Sequence, residues 1–150
     1  YPKPFRPVPI HVGGRSDAAL RRAGKLGDGY TGIWLSPERF AEAAERIAEV
    51  ASDAGREPAE IELGMQFWTS VSNSREEAKA LVSQGMESTY RLPFERFERY
   101  PPFGTANEIA EHLAPFIAAG ARHINLIPTQ ESPEAVIEAA ATIREAVRAL

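Results

Sequence analysis

The residues best suited to chemistry lie in segment 9–32, where two glycines separate an apolar run from a helical pattern. Gly13 and Gly14 follow the run Ile10-His11-Val12, and Ser16 opens the helical pattern. Glycines at a strand end let backbone N–H groups approach an anion, and a helix N-terminus favours negative charge. Ser16 can cap that helix and also offer its hydroxyl to the anion. The pattern predicts a site for a phosphate-bearing ligand; the alternative is an ordinary turn beside a solvated basic helix face.

The composition excludes several classes of function. The chain has 150 residues, a formal charge of −4 and no cysteine. Its acidic and basic residues are interleaved, so nucleic acid is not an expected partner. The lack of cysteine excludes thiolate catalysis and disulfides and agrees with a cytoplasmic protein. No apolar run approaches the roughly 20 residues of a membrane-spanning helix, so no membrane partner is expected.

Four other polar residues are further candidates for a functional site. His11 precedes the glycines and either contacts a ligand or lines the interior of the fold. His112 has glutamates nearby but no second histidine at ligand spacing, so we expect a solvated helix face and no metal. His123 precedes the last predicted strand and is expected to shape its entry, and Asp28 is interpreted as a turn or strand-start residue. No catalytic residue can be assigned from these patterns.

The order of elements predicts an α/β fold of four β-α units with parallel strands. Residues 1–9 contain four prolines and form an extended lead-in. The predicted strands cover 10–12, 29–35, 61–71 and 124–127. The first predicted helix covers 17–26 and places Leu26 in the core. Four further helices are predicted to follow the capping residues Ser36, Ser74, Thr105 and Ser132. The helix after Ser74 is predicted to end near Gly85. Four such units form either a small open sheet or half of an eight-unit barrel.

Segment 86–104 breaks this regularity with clustered aromatic residues and prolines. It is read as a loop insertion that serves as a substrate lid or a partner-binding surface. On the preceding strand, Gln66, Trp68 and Ser70 share one face. They either reach a bound ring or pack within the protein.

Several motifs together resemble the bacterial luciferase-like monooxygenase superfamily. They are Pro9 to Ala23 with Gly27-Asp-Gly-Tyr30, then Ala54-Gly-Arg-Glu-Pro58, Gly104-Thr-Ala-Asn-Glu-Ile-Ala-Glu111 and Ala119-Gly-Ala-Arg-His-Ile-Asn-Leu126. The likeness runs over nearly the whole chain and is weakest from Met86 to Phe103. Members of this superfamily are TIM barrels that use reduced FMN or the deazaflavin F420.

The resemblance implies that residues 1–150 form one domain, the C-terminal half of a TIM (β/α)8 barrel with strands five to eight. In the family, the turn after strand five contributes backbone amides to the cofactor phosphate. That turn corresponds to Gly13 and Gly14, with Arg15 and Ser16 adjacent, and the end of strand six corresponds to Thr31 and Gly32. The family's N-terminal half, which supplies most contacts to the ring and the substrate, has no counterpart in this sequence.

The two leading functions belong to different classes. The first is the cofactor-phosphate-binding half of a flavin- or F420-dependent monooxygenase or oxidoreductase. The second is a non-catalytic, self-associating half-barrel that acts as an interaction module. A sugar-phosphate barrel is less favoured, because the strands offer no inward lysine or paired carboxylates. An open four-strand sheet leaves two parallel edges unpaired and exposes an apolar inward face, so a homo-oligomer is expected.

Overall fold

The computed structural model describes residues 3–150, so Tyr1 and Pro2 of the proline-rich lead-in lie outside it. Residues 3–10 form neither helix nor strand, as their prolines predict. The elements are β1 (His11–Gly13), α1 (Asp17–Leu26), β2 (Gly29–Ile33), α2 (Pro37–Asp53), β3 (Glu62–Val71), α3 (Arg75–Tyr90), β4 (Phe103–Gly104), α4 (Ala106–Ala118), β5 (His123–Pro128) and α5 (Pro133–Arg148). Short 3₁₀ turns cover Pro58–Glu60 and Phe94–Arg96.

The strands form one parallel sheet in which β3 pairs with both of the strands that follow it. β1 pairs with β2, β2 with β3, and β3 with β5. The short β4 pairs with the last two residues of β3, Ser70 and Val71. Each step along the sheet passes through a helix, which is how parallel strands are joined in barrels. The predicted parallel α/β fold is therefore confirmed.

The helices begin where the capping patterns predict. The side-chain oxygen of each cap accepts a hydrogen bond from the backbone N–H three residues later; the caps are Ser16, Ser36, Ser74, Thr105 and Ser132. At Thr105 the bond is reciprocal, because Glu108 accepts from the Thr105 amide at 2.7 Å. These bonds to Thr105 hold the pKa of Glu108 below its ordinary value. The cap therefore stays charged and formed at neutral pH.

The predicted end of α3 near Gly85 is wrong, since the helix continues to Tyr90. Gly85 lies inside the helix, where a Cβ would overlap the Thr129 methyl group and come within 3.3 Å of the Trp68 ring. The glycine therefore permits close packing against the sheet and does not end the helix. The helix ends instead at Arg91, whose backbone is left-handed with φ 54°.

The main core lies between the sheet and the helices α1, α2, α4 and α5. Alternate residues of β3, including Met65 and Phe67, face these helices and are buried. Phe67 meets Phe116 of α4 edge to face at 5.0 Å, and Phe116 lies 6.0 Å from Phe40 of α2. Leu26, predicted for this core, is 76% exposed because it lies on the last turn of α1 beside the sheet edge.

A second, smaller core forms on the other face of β3. Its buried side chains come from α3 and from segment 94–103: Ala78, Val82, Met86, Phe94, Phe97 and Phe103. Trp68 packs against them and donates a hydrogen bond from Nε1 to the Tyr90 hydroxyl at 2.9 Å. Ser70 is fully buried. The packing interpretation therefore holds for Trp68 and Ser70, and most aromatic rings of the insertion are enclosed within the chain.

Much of the rest of that face is polar, whereas an apolar surface was expected. His11 lies 3.4 Å from both the Thr31 hydroxyl and a Glu62 carboxylate oxygen. Gln66 accepts a hydrogen bond from the Asn125 amide at 2.8 Å. Because side chains of a strand alternate between faces, most apolar residues of these strands pack in the helix layer, while Ile33 and Ile127 share the other face with the polar side chains. The inward surface expected of a half-barrel therefore combines a polar network with two half-buried isoleucines.

One edge of the sheet is β1, and the other is formed by β5 together with the short β4. Among the described strands, each of them pairs on one side only. Ile10, predicted as a strand residue, precedes β1 and is 65% exposed. Within residues 3–150 no helix combines the length and the apolar character needed to cross a bilayer.

Candidate functional site at the ends of the first two strands

The turn after β1 is shaped for a glycine at position 14. Gly14 has φ 116°, and a Cβ there would lie 3.0 Å from the Ala19 Cβ. Ser16 then caps α1, with its Oγ accepting from the Ala19 amide at 3.3 Å. The first amides of a helix have no partner within the helix and point out of its N-terminus. The turn therefore joins a strand end to the N-terminus of a helix, which is the local arrangement that anion sites use.

Tyr30 holds this turn in place from beneath. Its hydroxyl donates to the Gly14 carbonyl oxygen at 3.0 Å, and its side chain is fully buried. Burial raises the pKa of Tyr30 above its ordinary value, while Arg15 opposes this rise. The phenol therefore remains a donor at neutral and mildly alkaline pH. Sequence reasoning placed Tyr30 on a strand but gave it no link to the glycines, because the contact spans 16 residues.

Replacing Tyr30 with phenylalanine is expected to loosen the turn without breaking the fold. The ring still fills the core, but the Gly14 carbonyl loses its partner, which costs about 1 kcal/mol of unfolding free energy. Chemical denaturation measures this loss, and phosphate-ligand affinity is expected to fall with it. Unchanged stability and affinity would show that the hydrogen bond does not position the turn.

The charges around the turn leave it positive. Arg15 donates to the Trp34 carbonyl oxygen at 3.3 Å, and its guanidinium lies 5.7 Å from the Trp34 ring centre. Asp17, the one acid in the first turn of α1, forms ion pairs with Arg21 and with Arg46, the latter at 3.0 Å. The carboxylate in the first turn of α1 is therefore paired with arginines, whereas the contacts of the Arg15 guanidinium within residues 3–150 are to a carbonyl oxygen and an aromatic ring.

The end of β2 supplies a second helix N-terminus. The strand was predicted to reach Leu35 but ends at Ile33, because Trp34 adopts a left-handed backbone with φ 55°. This conformation, uncommon for a large side chain, brings the Trp34 ring to 4.9 Å from Phe97. Ser36 then caps α2 by accepting from the Arg39 amide at 3.3 Å. The Ser36 hydroxyl also holds the pKa of Glu38 below its ordinary value.

The two helix N-termini border one cleft of about 920 Å³. Its polar lining comprises Arg15, Ser16, Ser36, Arg39, Arg99 and His112. Trp34 also lines it, and the Trp34 Nε1–H is buried with no hydrogen-bond partner among the described residues. The lining contains three arginines and, within the described residues, no carboxylate. The side chains that line the cleft therefore carry a net positive charge.

His112 forms one wall of the cleft, where a solvated helix face was predicted. Its ring lies 5.9 Å from Phe67 and 6.0 Å from Phe116. Burial lowers the pKa of His112 below its ordinary value, so the imidazole is neutral at neutral pH. The prediction of a solvated face is wrong because α4 turns this side chain toward the aromatic core.

The structure brings some of the predicted site residues together and separates others. Arg15 and Ser16 line the cleft, and Gly13 and Gly14 form the turn that precedes them. Thr31 lies beside Gly13 across the sheet, but its side chain contacts His11 on the polar face. Gly32 faces the helix layer, where a Cβ would lie 2.7 Å from the Met65 sulfur. Its lack of a side chain serves core packing.

The remaining candidates lie at the opposite end of the strands. His11 and His123 start β1 and β5, with ring centres 5.8 Å apart. Asp28 accepts from the Ile10 amide at 2.8 Å, as expected of a strand-start residue. Among residues 3–150 no group of three or more His, Asp or Glu side chains could hold a metal ion.

Sequence reasoning missed Trp34, Ser36, Arg39 and Arg99 as cleft residues. A signal existed for Ser36, because its cap directly follows a strand in the same way as the cap at Ser16. Ligand sites of parallel α/β folds gather at the carboxyl ends of strands, which links the two caps. Arg99 gave no such signal, since the path of segment 91–102 depends on tertiary packing.

The fold and the cleft define a parallel α/β half-barrel with an arginine-lined cleft at the carboxyl ends of its first two strands. The sequence model of the family described as luciferase-like monooxygenase matches residues 1–147, and the chain belongs to that family. This confirms the resemblance found in the sequence. The comparison with curated proteins gave no match.

Solved structures share the fold at low sequence identity. An F420-dependent secondary alcohol dehydrogenase in complex with an F420-acetone adduct superposes with TM-score 0.82 at 20% identity, over 99% of this chain and 51% of that one. The coenzyme F420-dependent tetrahydromethanopterin reductase from Methanopyrus kandleri has TM-score 0.71 at 16% identity, over 95% and 50%. EDTA monooxygenase from Chelativorans has TM-score 0.71 at 14% identity, over 98% and 46%. The chain thus spans about half the length of these proteins.

Proposed function

We propose that this chain is the cofactor-phosphate-binding half of an FMN- or F420-dependent oxidoreductase of the monooxygenase type. The observation that carries the proposal is the Gly14 turn at the N-terminus of α1, which opens into a cleft lined by arginines. A phosphate there would meet backbone amides, the Ser16 hydroxyl and the Arg15 guanidinium. Thr31 pairs with Gly13, the residue directly before the turn, so its backbone lies next to the site. Gly32 contributes through its close packing against Met65.

The residues present fit the phosphate end of such a cofactor. A Cβ at Gly14 would lie only 3.0 Å from the Ala19 Cβ, and Asp17 in the first turn of α1 is paired with arginines. When bound, a reduced flavin or deazaflavin supplies the electrons for the reaction, while the protein binds and orients it. We assign no catalytic side chain, because the ring and the substrate would extend beyond the cleft toward strands that this chain does not supply.

Binding of FMN and F420 to the chain tests the proposal, with riboflavin as the matched ligand without phosphate. We expect a Kd no better than tens of micromolar, about 6 kcal/mol of binding, since only the phosphate end is held. Cofactor fluorescence titration measures it, and riboflavin should bind at least about tenfold more weakly. Equal affinity for FMN and riboflavin would contradict phosphate recognition. Tight binding with turnover would contradict the need for further barrel strands.

The second candidate is a self-associating half-barrel without redox chemistry. The open edges at β1 and β5 and the exposed apolar side chains beside them favour it. Self-association is compatible with both candidates, and we propose a homo-oligomer in either case. The cofactor titration separates the two, because an interaction module has no reason to prefer FMN over riboflavin.

A further inference from the structure

Trp34 holds two unfavourable features at the end of β2. Within residues 3–150, only Trp34 and Arg91 combine a side chain with a positive φ, and Arg91 ends a helix, where a left-handed residue is common. Trp34 follows a strand, and a large side chain is rare at φ 55°. Its indole Nε1–H is also buried with no hydrogen-bond partner among the described residues. Such strain and such an unpaired donor persist only where neighbouring groups hold them in place.

Trp34 is held by contacts with two separate parts of the chain. From the turn after β1, Arg15 donates a hydrogen bond to the Trp34 carbonyl oxygen at 3.3 Å, and its guanidinium lies 5.7 Å from the ring centre. From the other part, the ring centres of Phe97 and Tyr90 lie 4.9 and 5.1 Å from that of Trp34. Phe97 belongs to the second core, and Tyr90 is the last residue of α3. Trp34 therefore links the turn after β1 to the insertion that follows α3.

Arg15 is the member of this contact that a ligand can take away. It follows Gly14 directly and lines the cleft together with Ser16. A phosphate at the Gly14 turn would compete with Trp34 for the guanidinium, because pairing with an opposite charge is stronger than a single hydrogen bond to a neutral carbonyl. We propose that Trp34 is a conformational switch that a phosphate group operates through Arg15. The switch rests on the proposed function, since its ligand is the phosphate held by that turn, and it adds a regulation of the same site.

The two states of the switch differ in the partners of Arg15 and Trp34. In the ligand-free chain, Arg15 holds the Trp34 carbonyl, and the indole packs against Phe97 and Tyr90. With phosphate bound, Arg15 turns to the ligand, the backbone of Trp34 leaves the left-handed region, and the indole N–H gains water as a partner. The Tyr100 amide donates to the Phe97 carbonyl at 2.9 Å, and Tyr100 lines the cleft. Occupation of the turn therefore changes the part of the cleft wall that the insertion forms.

Hydrogen exchange of the indole N–H groups tests the switch in the intact chain. Trp34 and Trp68 are the two tryptophans, so a proton–nitrogen NMR spectrum holds two indole signals, and Trp68→Phe assigns them. Saturating inorganic phosphate should make the Trp34 indole exchange about tenfold faster, because the open state gains population. The Trp68 indole should keep its slow exchange, since its Nε1–H donates to the Tyr90 hydroxyl at 2.9 Å. Sodium chloride at the same ionic strength should change neither rate.

Arg15→Met tests the switch without any ligand. The substitution keeps an unbranched side chain but removes the charge and the donor, so the Trp34 indole should exchange about tenfold faster than in wild type before phosphate is added. Arg39→Met is the matched control, because Arg39 is also an exposed arginine of the cleft but pairs with Glu42 at 2.9 Å. In this control the Trp34 indole should exchange at the wild-type rate.

The backbone amide signals of residues 14–17 separate failure of the switch from failure of the phosphate site. If phosphate shifts these signals but leaves the exchange of the Trp34 indole unchanged, the switch is wrong and the proposed function stands. Slow exchange of the Trp34 indole in ligand-free Arg15→Met would also overturn the switch alone. Failure of inorganic phosphate, FMN and F420 alike to shift the amide signals would overturn both.

Discussion

Replacing Gly14 with valine is expected to abolish binding of both FMN and F420 to this chain. At φ 116° a β-branched residue is strained, and its Cβ would lie 3.0 Å from the Ala19 Cβ. The turn must then shift, and the amides at the start of α1 no longer converge on one point. The strain also costs about 1–3 kcal/mol of unfolding free energy. Titration of each cofactor by fluorescence, together with a thermal melt, measures both effects.

Gly120→Val is the matched control for this strain. Gly120 has φ 100°, and the nearest atom to a Cβ there is 3.8 Å away, at Leu63. It stands at the end of α4, remote from the cleft lining. Both variants should lose stability, but only the one at Gly14 should lose cofactor binding. Gly14→Ala introduces a smaller side chain at the same position, and it serves as the test variant if Gly14→Val does not fold. Cofactor affinity that survives at Gly14→Val would rule out the phosphate site.

The fold was predictable because local and long-range signals agree in this chain. Every helix start carries a serine or threonine whose oxygen accepts the expected amide bond. The strands are short apolar runs between these helices, and only parallel pairing with crossovers accommodates that order. The prediction failed at Gly85, where a glycine signals helix termination locally but serves tertiary packing against Thr129 and Trp68.

The site was predictable only where it is local. Gly14 and Ser16 are two residues apart, and strand, turn and cap can be read from that stretch alone. The opposite wall of the cleft is built by Arg99 and His112, which lie more than 80 residues away in sequence. Their positions depend on how segment 91–102 packs over β3, and no periodic pattern marks that path.

The polar face of the sheet carried a signal that the sequence reading did not use. Glu62 and Gln66 alternate with more deeply packed residues of β3, and Asn125 lies between the half-buried Ile124 and Leu126 of β5. This alternation is typical of a strand with one solvated or polar-lined face. It matters for assembly, because a polar face gives less hydrophobic stabilisation to an oligomer than the apolar surface expected.

The driving force for assembly is therefore expected at the edges of the sheet. Next to β1, Ile10 is 65% exposed and Leu26 is 76% exposed. Next to β5, Ile137 of α5 is 71% exposed. Each edge strand also offers backbone groups that no described strand satisfies, which favours pairing with a further chain. A second copy of the chain, related by a twofold axis, would cover such an edge most simply.

We expect the wild-type chain to sediment as a dimer at micromolar concentration, and Ile10→Lys with Leu26→Lys to convert it to a monomer. Burial of two large aliphatic side chains contributes about 3 kcal/mol, so the dimer dissociation constant should rise at least about a hundredfold. Both residues are exposed in the monomer, so the double variant and the wild type should have the same melting temperature at concentrations where both are monomeric.

Leu92→Lys, in the insertion and 40% exposed, is the control and should remain dimeric. If the β1-edge variant stays dimeric and Ile137→Lys dissociates, the dimer uses the β5 edge. Sedimentation equilibrium decides among these outcomes: a stable, folded wild-type monomer would show that both edges are protected within the chain and that the half-barrel needs no partner.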